Sequence, residues 1–176
     1  MHFPQVEIRA PFRSDVLDLC MLGKTSFIES HGHSASYEDI NSYTTKVYSE
    51  SNINAELDDL SNIYHLLFSD GILVGYSKIR LNTPCDWVQQ KTIAKLDRIY
   101  LLKEYYGQKI GFNLYEYNLR IARMHQQEGI WLYCWIENHR AISFYKRMGF
   151  EIVGNADFKI SETHSNPNHI MYLKLI

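Results

Sequence analysis

Apolar residues follow two periods along the chain, one typical of strands and one typical of helices. Alternating or β-rich runs predict strands over residues 6–9, 63–68, 72–81, 92–102, 130–136, 150–153 and 170–175. Apolar residues on one helical face predict helices over residues 15–27, 37–48, 107–128 and 139–148. No repeat, linker or low-complexity tract interrupts this order. The pattern therefore predicts one mixed α/β domain over residues 1–176.

Local signals refine several of these boundaries. Ser69-Asp70-Gly71 separates two β-rich runs and predicts a hairpin. Gly129 and Gly149 follow helical patterns, so each is expected to end a helix. The polar helix 37–48 and the acidic stretch 49–59 after it are expected on an outer face.

Composition excludes several classes of protein. Apolar residues make up 45% and charged residues 22% of the chain, as in ordinary soluble domains. Lys and Arg are scattered around a net charge of −2, which argues against a nucleic-acid partner. No run of about 18 apolar residues predicts a membrane span. Three widely spaced cysteines predict neither disulfides nor a zinc site, so a cytoplasmic protein with reduced thiols is expected.

Charge is nevertheless uneven along the chain. Residues 26–70 contain eight acidic residues and one basic residue, whereas residues 98–147 contain eight basic and four acidic residues. An acidic half could form a cleft that attracts cationic ligands, or only a solvated helix surface. Both interpretations stay open from the sequence.

A turn with two glycines joins the predicted strand 92–102 to the helix after it. Free N–H groups at a helix N-terminus suit a pyrophosphate, although many such turns only reverse the chain. Gly107 and Gly111 do not match the GxGxxG dinucleotide motif, and Gly23-Lys24-Thr25 lacks the upstream glycine of a P-loop. Neither of those two phosphate motifs is therefore present.

Two segments resemble the acetyl-CoA-binding half of the GNAT acetyltransferases. Residues 106–111, Tyr-Gly-Gln-Lys-Ile-Gly, are similar to the family's R/Q-x-x-G-x-G/A loop, with Tyr106 in place of Arg or Gln and Lys109 in place of Gly. Residues 138–150 are similar to the family's N-x-x-A-x-x-F-Y-x-x-x-G-F. The stretches 96–100 and 131–135 further resemble bacterial PaiA-type polyamine acetyltransferases. The resemblance implies the GNAT fold, an α/β (α+β) arrangement with a mostly antiparallel, mixed sheet of six to seven strands and about four helices.

The resemblance also implies a site. Acetyl-CoA would be the co-substrate, with no metal, and Tyr145 would protonate the departing CoA sulfur. The residues that would hold acetyl-CoA are Ile99, Leu101, Tyr106, Gly107, Gln108, Lys109, Ile110, Gly111, Phe112, Asn138, Ala141 and Lys146. Tyr145 could instead be only an apolar helix residue, and Asn138 only a helix N-cap.

Three further features of the sequence could take part in chemistry: a proton acceptor, a pair of histidines and a cysteine. Asp97 is the best-placed base, because alternation on a strand would put it on one face with Ile99; a surface ion pair with Arg98 is the alternative. His31-Gly32-His33 is interpreted as a turn rather than a metal site. Cys134 is interpreted as a buried small residue rather than a nucleophile.

These features predict direct acetyl transfer to a primary amine in a ternary complex. A polyamine such as spermidine or spermine is the first acceptor expected, and a protein N-terminus or lysine the second. A GNAT-fold sensor that binds acyl-CoA without turnover is a different class, which Lys109 in place of glycine keeps open, whereas Tyr145 and the loop favour the enzyme. Dimers are frequent among such proteins, so a homodimer is one assembly to consider, although no residue pattern here predicts it.

Overall fold

The computed structural model describes residues 4–176, which form a seven-stranded sheet and five helices. The strands are β1 Val6–Arg9, β2 Asn62–Ser69, β3 Ile72–Arg80, β4 Ile93–Leu101, β5 Gly129–Trp135, β6 Glu151–Lys159 and β7 Ser165–Lys174. The helices are α1 Val16–His31, α2 Tyr37–Val47, α3 Glu50–Asp58, α4 Ile110–Met124 and α5 His139–Arg147. The predicted mixed α/β class is confirmed, with one helix more than expected.

The sheet order is β1-β2-β3-β4-β5-β7-β6. Neighbouring strands are antiparallel, including the predicted β2–β3 hairpin, except for the parallel pair β4–β5. That pair is joined only from Ile93–Lys95 to Gly129–Trp131. Beyond this point β4 stays paired with β3, and β5 stays paired with β7. The sheet therefore opens into two arms with a gap between β4 and β5.

Helices cover both faces of the sheet because each carries an apolar side. Helices α1, α2 and α3 bury Leu19, Ile40 and Ile53 against one face. Helices α4 and α5 bury Leu119 and Tyr145 against the other. The gap between the arms consequently connects the α1–α3 face with the α4–α5 face.

The predicted end of helix α4 is wrong. Helix α4 ends at Met124 and not near Glu128, because Gln126 adopts a φ of 53° and the side chain of Gln127 is buried. That amide bonds the backbone and side chain of Asn82 at 3.0 Å, and Gly129 begins β5. These are long-range contacts, which helical periodicity cannot reveal.

The acidic stretch is not confined to an outer face. It forms helix α3, capped by the Ser49 hydroxyl, which accepts a hydrogen bond from the N–H of Asn52 at 3.2 Å. Ile53 is fully buried, and the Glu56 side chain is only 18% exposed. One side of this helix therefore faces inward, toward β4.

All three cysteines are unpaired. None of the helices within residues 4–176 is long and apolar enough to cross a membrane.

Candidate active site

A cavity of about 190 Å³ occupies the gap between β4 and β5. Its lining comes from both faces of the sheet, so it forms a slot through the sheet with two sides. Helix α5 and the loop before α4 contribute Tyr106, Asn138, Ala141 and Tyr145 on one side. Helices α1 and α2 and the β6–β7 hairpin contribute the other side. Two ligands could therefore meet between the strands.

Strand β4 carries a β-bulge at Asp97. Its pairing with β3 shifts from Lys78 opposite Arg98 to Ile79 opposite Leu96, which leaves Asp97 as the extra residue. Leu96 and Ile99, three positions apart, pack into the same core under α4. The predicted common face of Asp97 and Ile99 is therefore wrong, because the bulge interrupts alternation.

Asp97 instead faces the α1–α3 side of the slot. Its carboxylate lies 2.6 Å from Lys95 Nζ and 3.3 Å from Lys78 Nζ, and not against Arg98. Burial is the largest single effect and would raise the pKa of Asp97, but Lys95, Lys78 and Arg98 together outweigh it, so the pKa lies below its usual value.

Arg98 pairs with a partner 42 residues away in the chain. Its guanidinium donates to both carboxylate oxygens of Glu56, at 2.8 and 3.1 Å, and to the Tyr64 hydroxyl at 2.6 Å. Glu56 also accepts from Tyr64 and from Lys78 at 3.2 Å. Burial opposes ionisation of Glu56, yet Arg98 holds its pKa below the usual value. This network ties α3 to β2, β3 and β4 beside the slot.

Tyr145 reaches the slot from α5. Its side chain is 8% exposed and packs against Phe144 and Phe150, with ring centroids 5.4 and 5.3 Å away. Its hydroxyl has no hydrogen-bond partner within residues 4–176. Burial, with a smaller contribution from Cys134, raises the pKa of Tyr145 well above its usual value. The phenol is therefore protonated at neutral pH and free to donate.

Cys134 lies beside Tyr145 in the same core. Burial raises the pKa of this thiol to about 12. A thiol that stays protonated is a poor nucleophile, which agrees with its interpretation as a buried small residue.

Tyr106, the first residue of the turn at residues 106–111, lines the slot, and we call this end of the slot its mouth. The turn leads into α4. Gly107 has a φ of +79°, a conformation that L side chains rarely adopt. No side chain caps the N-terminus of α4. The helix therefore presents free N–H groups and the positive end of its dipole toward the mouth.

Lys109 occupies a left-handed position as the N-cap of α4, with a φ of 64°. A non-glycine residue there costs about 1 kcal/mol, so the usual family glycine has a physical reason. We expect Lys109→Gly to raise the free energy of unfolding by about 1 kcal/mol, measured by urea denaturation. Lys109→Ala removes the same charge without relieving the backbone. An equal gain in both variants would contradict backbone strain as the cause.

Arg140 lies across the mouth from this turn. Its guanidinium carbon is 3.5 Å from the centre of the Tyr106 ring, a close cation–π contact. Arg140 is exposed and forms no ion pair in the described part of the chain. The pair places a positive charge beside the loop position where the family usually has Arg or Gln.

The structure brings half of the predicted site residues together. Those that line the cavity are Asp97, Ile99, Leu101, Tyr106, Asn138, Ala141 and Tyr145. Those that form the adjoining turn and the start of α4 are Gly107, Gln108, Lys109, Ile110, Gly111 and Phe112. Ile110 buries its side chain, so only its backbone is available. Lys146 is exposed on α5 and does not line the cavity. Asn138 caps α5, accepting from the N–H of Ala141 at 3.1 Å.

Sequence reasoning missed Arg140 and Lys95 as cavity residues, and it interpreted His31 only as part of a turn. His31 ends α1 and lines the cavity, its Nδ1 lying 2.7 Å from the Ser30 hydroxyl. Burial, with a smaller effect of His33, lowers its pKa to about 4, so the imidazole is neutral. Its ring and that of His33 pack on Trp135. Between residues 4 and 176, no group of three His, Cys, Asp or Glu residues is placed to hold a metal.

Comparison with known proteins agrees with this geometry. The family model described as acetyltransferase (GNAT) family matches residues 31–150. The chain is 24% identical over 144 residues to an uncharacterized N-acetyltransferase of Lactobacillus delbrueckii subsp. lactis, covering 82% of this chain and 83% of the relative. It is 29% identical over 93 residues to a probable spermine N(1)-acetyltransferase of Bacillus subtilis subsp. natto, covering 52% of this chain and 61% of the relative.

Solved structures share the whole fold. The PaiA N-acetyltransferase of Thermoplasma acidophilum, solved in complex with coenzyme A, superposes with a TM-score of 0.77 at 24% identity, covering 97% of this chain and 99% of that one. A spermidine N-acetyltransferase SpeG chimera from Vibrio cholerae and hSSAT superposes with a TM-score of 0.69 at 17% identity, covering 97% of this chain and 95% of that one. Because the family model spans well over half of the chain, the protein belongs to the acetyltransferase (GNAT) family of N-acetyltransferases.

Proposed function

We propose that the chain, acting as one domain, transfers the acetyl group of acetyl-CoA directly to a primary amine in a ternary complex. The observation that carries the proposal is the through-sheet slot, which is lined by Tyr145, a protonated phenol, and by the free edge of β4. In this arrangement acetyl-CoA occupies the α4–α5 side and the amine the α1–α3 side. The coenzyme A bound to the PaiA structure of similar fold supports the choice of co-substrate.

The chemistry needs no covalent enzyme intermediate. The amine nitrogen attacks the thioester carbon, the C–S bond breaks, the nitrogen loses one proton and the sulfur gains one. Ile99 and Leu101 direct their backbone groups to one edge of β4 and would hold the pantetheine arm. Tyr145 would donate to the departing sulfur. Because its pKa is raised, the proton that the amine releases must restore the phenol, so no tyrosinate accumulates.

The pyrophosphate would lie at the N-terminus of α4, with Arg140 supplying the cation that Tyr106 lacks. Arg140→Ala should raise the Kd of acetyl-CoA about tenfold, because one charge-assisted contact to phosphate is lost. Isothermal titration with coenzyme A measures this. Arg147→Ala, also exposed and on α5 but away from the cavity, is the matched control. Equal affinities for wild type and the Arg140 variant would exclude this contact.

Two groups could take the proton from the amine. Asp97 is the carboxylate in the slot, and His31 is a neutral imidazole beside it. The pKa of Asp97 is below its usual value and that of His31 is about 4, so both are deprotonated throughout the neutral range. Only the amine, with a pKa near ~10, changes its protonation there. We expect kcat/KM to rise about tenfold per pH unit from about pH 6 to 9. An inflection near 6.5, the ordinary pKa of histidine, would contradict a neutral His31. The pH profiles of Asp97→Asn and His31→Gln identify which of the two groups accepts the proton from the amine.

The polyamine acceptor expected from the sequence has its support only in the names of relatives. A Bacillus relative is named a probable spermine N(1)-acetyltransferase, and a solved structure of similar fold is a spermidine N-acetyltransferase chimera. The acidic-cleft argument does not support it, because none of the eight acidic residues in the stretch 26–70 lines the cavity. Most of these carboxylates are exposed, and Glu56 is neutralised by Arg98 and Lys78. A protein lysine or N-terminus has no specific support in the cavity.

The test is direct. Purified protein is incubated with acetyl-CoA and a panel of polyamines, monoamines, amino acids and lysine peptides, following thiol release and product mass. Acetylated amine with stoichiometric free coenzyme A is expected. Coenzyme A binding without transfer to any acceptor would indicate a sensor and not an enzyme, the alternative that Lys109 in place of glycine keeps open.

A further inference from the structure

The α1–α3 side of the slot is walled by aromatic rings. We call the set Phe27, Tyr43, Tyr100, Trp135 and Phe158 the aromatic wall; all five line the cavity. Ring centroids lie 4.8 Å apart for Phe27 and Tyr43, and 6.0 Å apart for Tyr43 and Phe158. His31 continues the wall, stacked on Phe27 at 4.8 Å and 5.7 Å from Trp135.

The charges beside this wall are already paired. Lys78, Lys95 and Arg98 face Glu56 and Asp97, so three cations meet two carboxylates and the cluster carries a net charge of +1. Each carboxylate contacts two cations. No carboxylate of the cluster is therefore left over for an additional ammonium group.

From the wall and its charge we infer that the acceptor is a monoamine with an aromatic body, of the arylalkylamine class, rather than a polycation. The inference rests on the proposed function and specifies the acceptor of the same site.

Both parts of such an acceptor match the pocket. Its ring can stack against or edge onto the wall, as aromatic pairs prefer at centroid distances of about 4.5–7 Å. Its single ammonium must lose a proton before attack, which a positively charged cluster favours. A polyamine would instead bring further ammonium groups into a site where burying an unpaired charge is costly.

Substrate comparison tests the inference. Initial rates with saturating acetyl-CoA would give kcat/KM for phenethylamine, hexylamine and spermidine. We expect phenethylamine to exceed spermidine at least about tenfold, and hexylamine about fivefold. Spermidine equal to or better than phenethylamine would overturn the inference while leaving the proposed function intact. Hexylamine equal to phenethylamine would overturn the aromatic requirement.

Variants of the wall give a second, independent measurement. Tyr43→Leu should lower kcat/KM for phenethylamine about fivefold and leave hexylamine unchanged. Tyr37→Leu is the matched control, because Tyr37 begins the same helix, is 77% exposed and does not line the cavity. Equal losses for both amines in Tyr43→Leu would show a structural effect only and would overturn the role of the ring.

A charge variant covers the case in which Tyr43→Leu does not fold. Phe158→Asp places a carboxylate in the wall and should shift the ratio of kcat/KM toward spermidine by about tenfold. An unchanged ratio in a folded Phe158→Asp protein would overturn the inference. If no amine is acetylated by a wild-type protein that binds coenzyme A, the proposed function itself fails, a result distinct from a wrong acceptor.

Discussion

Replacing Tyr145 with phenylalanine is expected to lower kcat about 100-fold with little change in the KM of acetyl-CoA. Loss of a general acid typically costs at least this factor. Phenylalanine keeps the ring that packs on Phe144 and Phe150, and the lost hydroxyl has no hydrogen-bond partner within residues 4–176. The free energy of unfolding should therefore be unchanged, which separates a chemical role from a structural one.

Tyr115→Phe is the matched control for this experiment. Tyr115 is 2% exposed, packs in the same core and contacts Phe144, yet it does not line the cavity. Its variant should keep full kcat. An unchanged kcat in Tyr145→Phe would remove Tyr145 from the acid role and leave it as an apolar residue of α5.

Replacing Glu56 with glutamine is expected to lower the free energy of unfolding by about 3 kcal/mol. Removing one partner of a buried ion pair leaves the other uncompensated, at a cost of about 3–5 kcal/mol. Here Arg98 would lose its carboxylate partner and Lys78 one of its two, and these side chains are only 15% and 7% exposed. Urea denaturation at neutral pH measures the change. Glu50→Gln, exposed on the same helix, should change it by less than about 0.5 kcal/mol.

The pH dependence provides a further check on Glu56. Its folded pKa lies below the unfolded value, so its stabilising contribution is present above the unfolded pKa and is lost as the pH falls through the folded pKa. The difference between wild type and Glu56→Gln should thus be constant near neutral pH and shrink below about pH 4. A difference that grows in acid would exclude a stabilising carboxylate at this position.

The same network bears on catalysis as well as stability. Arg98 follows the bulge residue Asp97, and Lys78 contacts both carboxylates. Glu56 therefore holds Arg98 and Lys78, which adjoin Asp97, from a stretch that the sequence alone assigns to an outer face. Some loss of kcat in Glu56→Gln is expected from misplacement of Asp97 and Lys95.

Local patterns in the sequence predicted the family, the seven strands and four of the five helices. Strands and helices have short periods, the hairpin depends on three adjacent residues, and the Asn138–Phe150 motif is contiguous. These features depend on near neighbours in the chain, so they can be recognised without the fold. The end of α4 could not be predicted in this way, because hydrogen bonds between Gln127 and the distant residue Asn82 determine it.

The geometry around the slot depended on contacts between distant segments. The bulge at Asp97 is set by pairing with β3, and it reverses the face that alternation predicts. Glu56 meets Arg98 across 42 residues, and Arg140 meets Tyr106 only because α5 packs beside the turn before α4. The charge distribution along the chain left open an acidic cleft or a solvated acidic surface, whereas the folded chain turns most of these carboxylates to solvent and lines the slot with rings. Sequence patterns report which residues are present and how they alternate, but a cavity between diverging strands is a property of their arrangement in space.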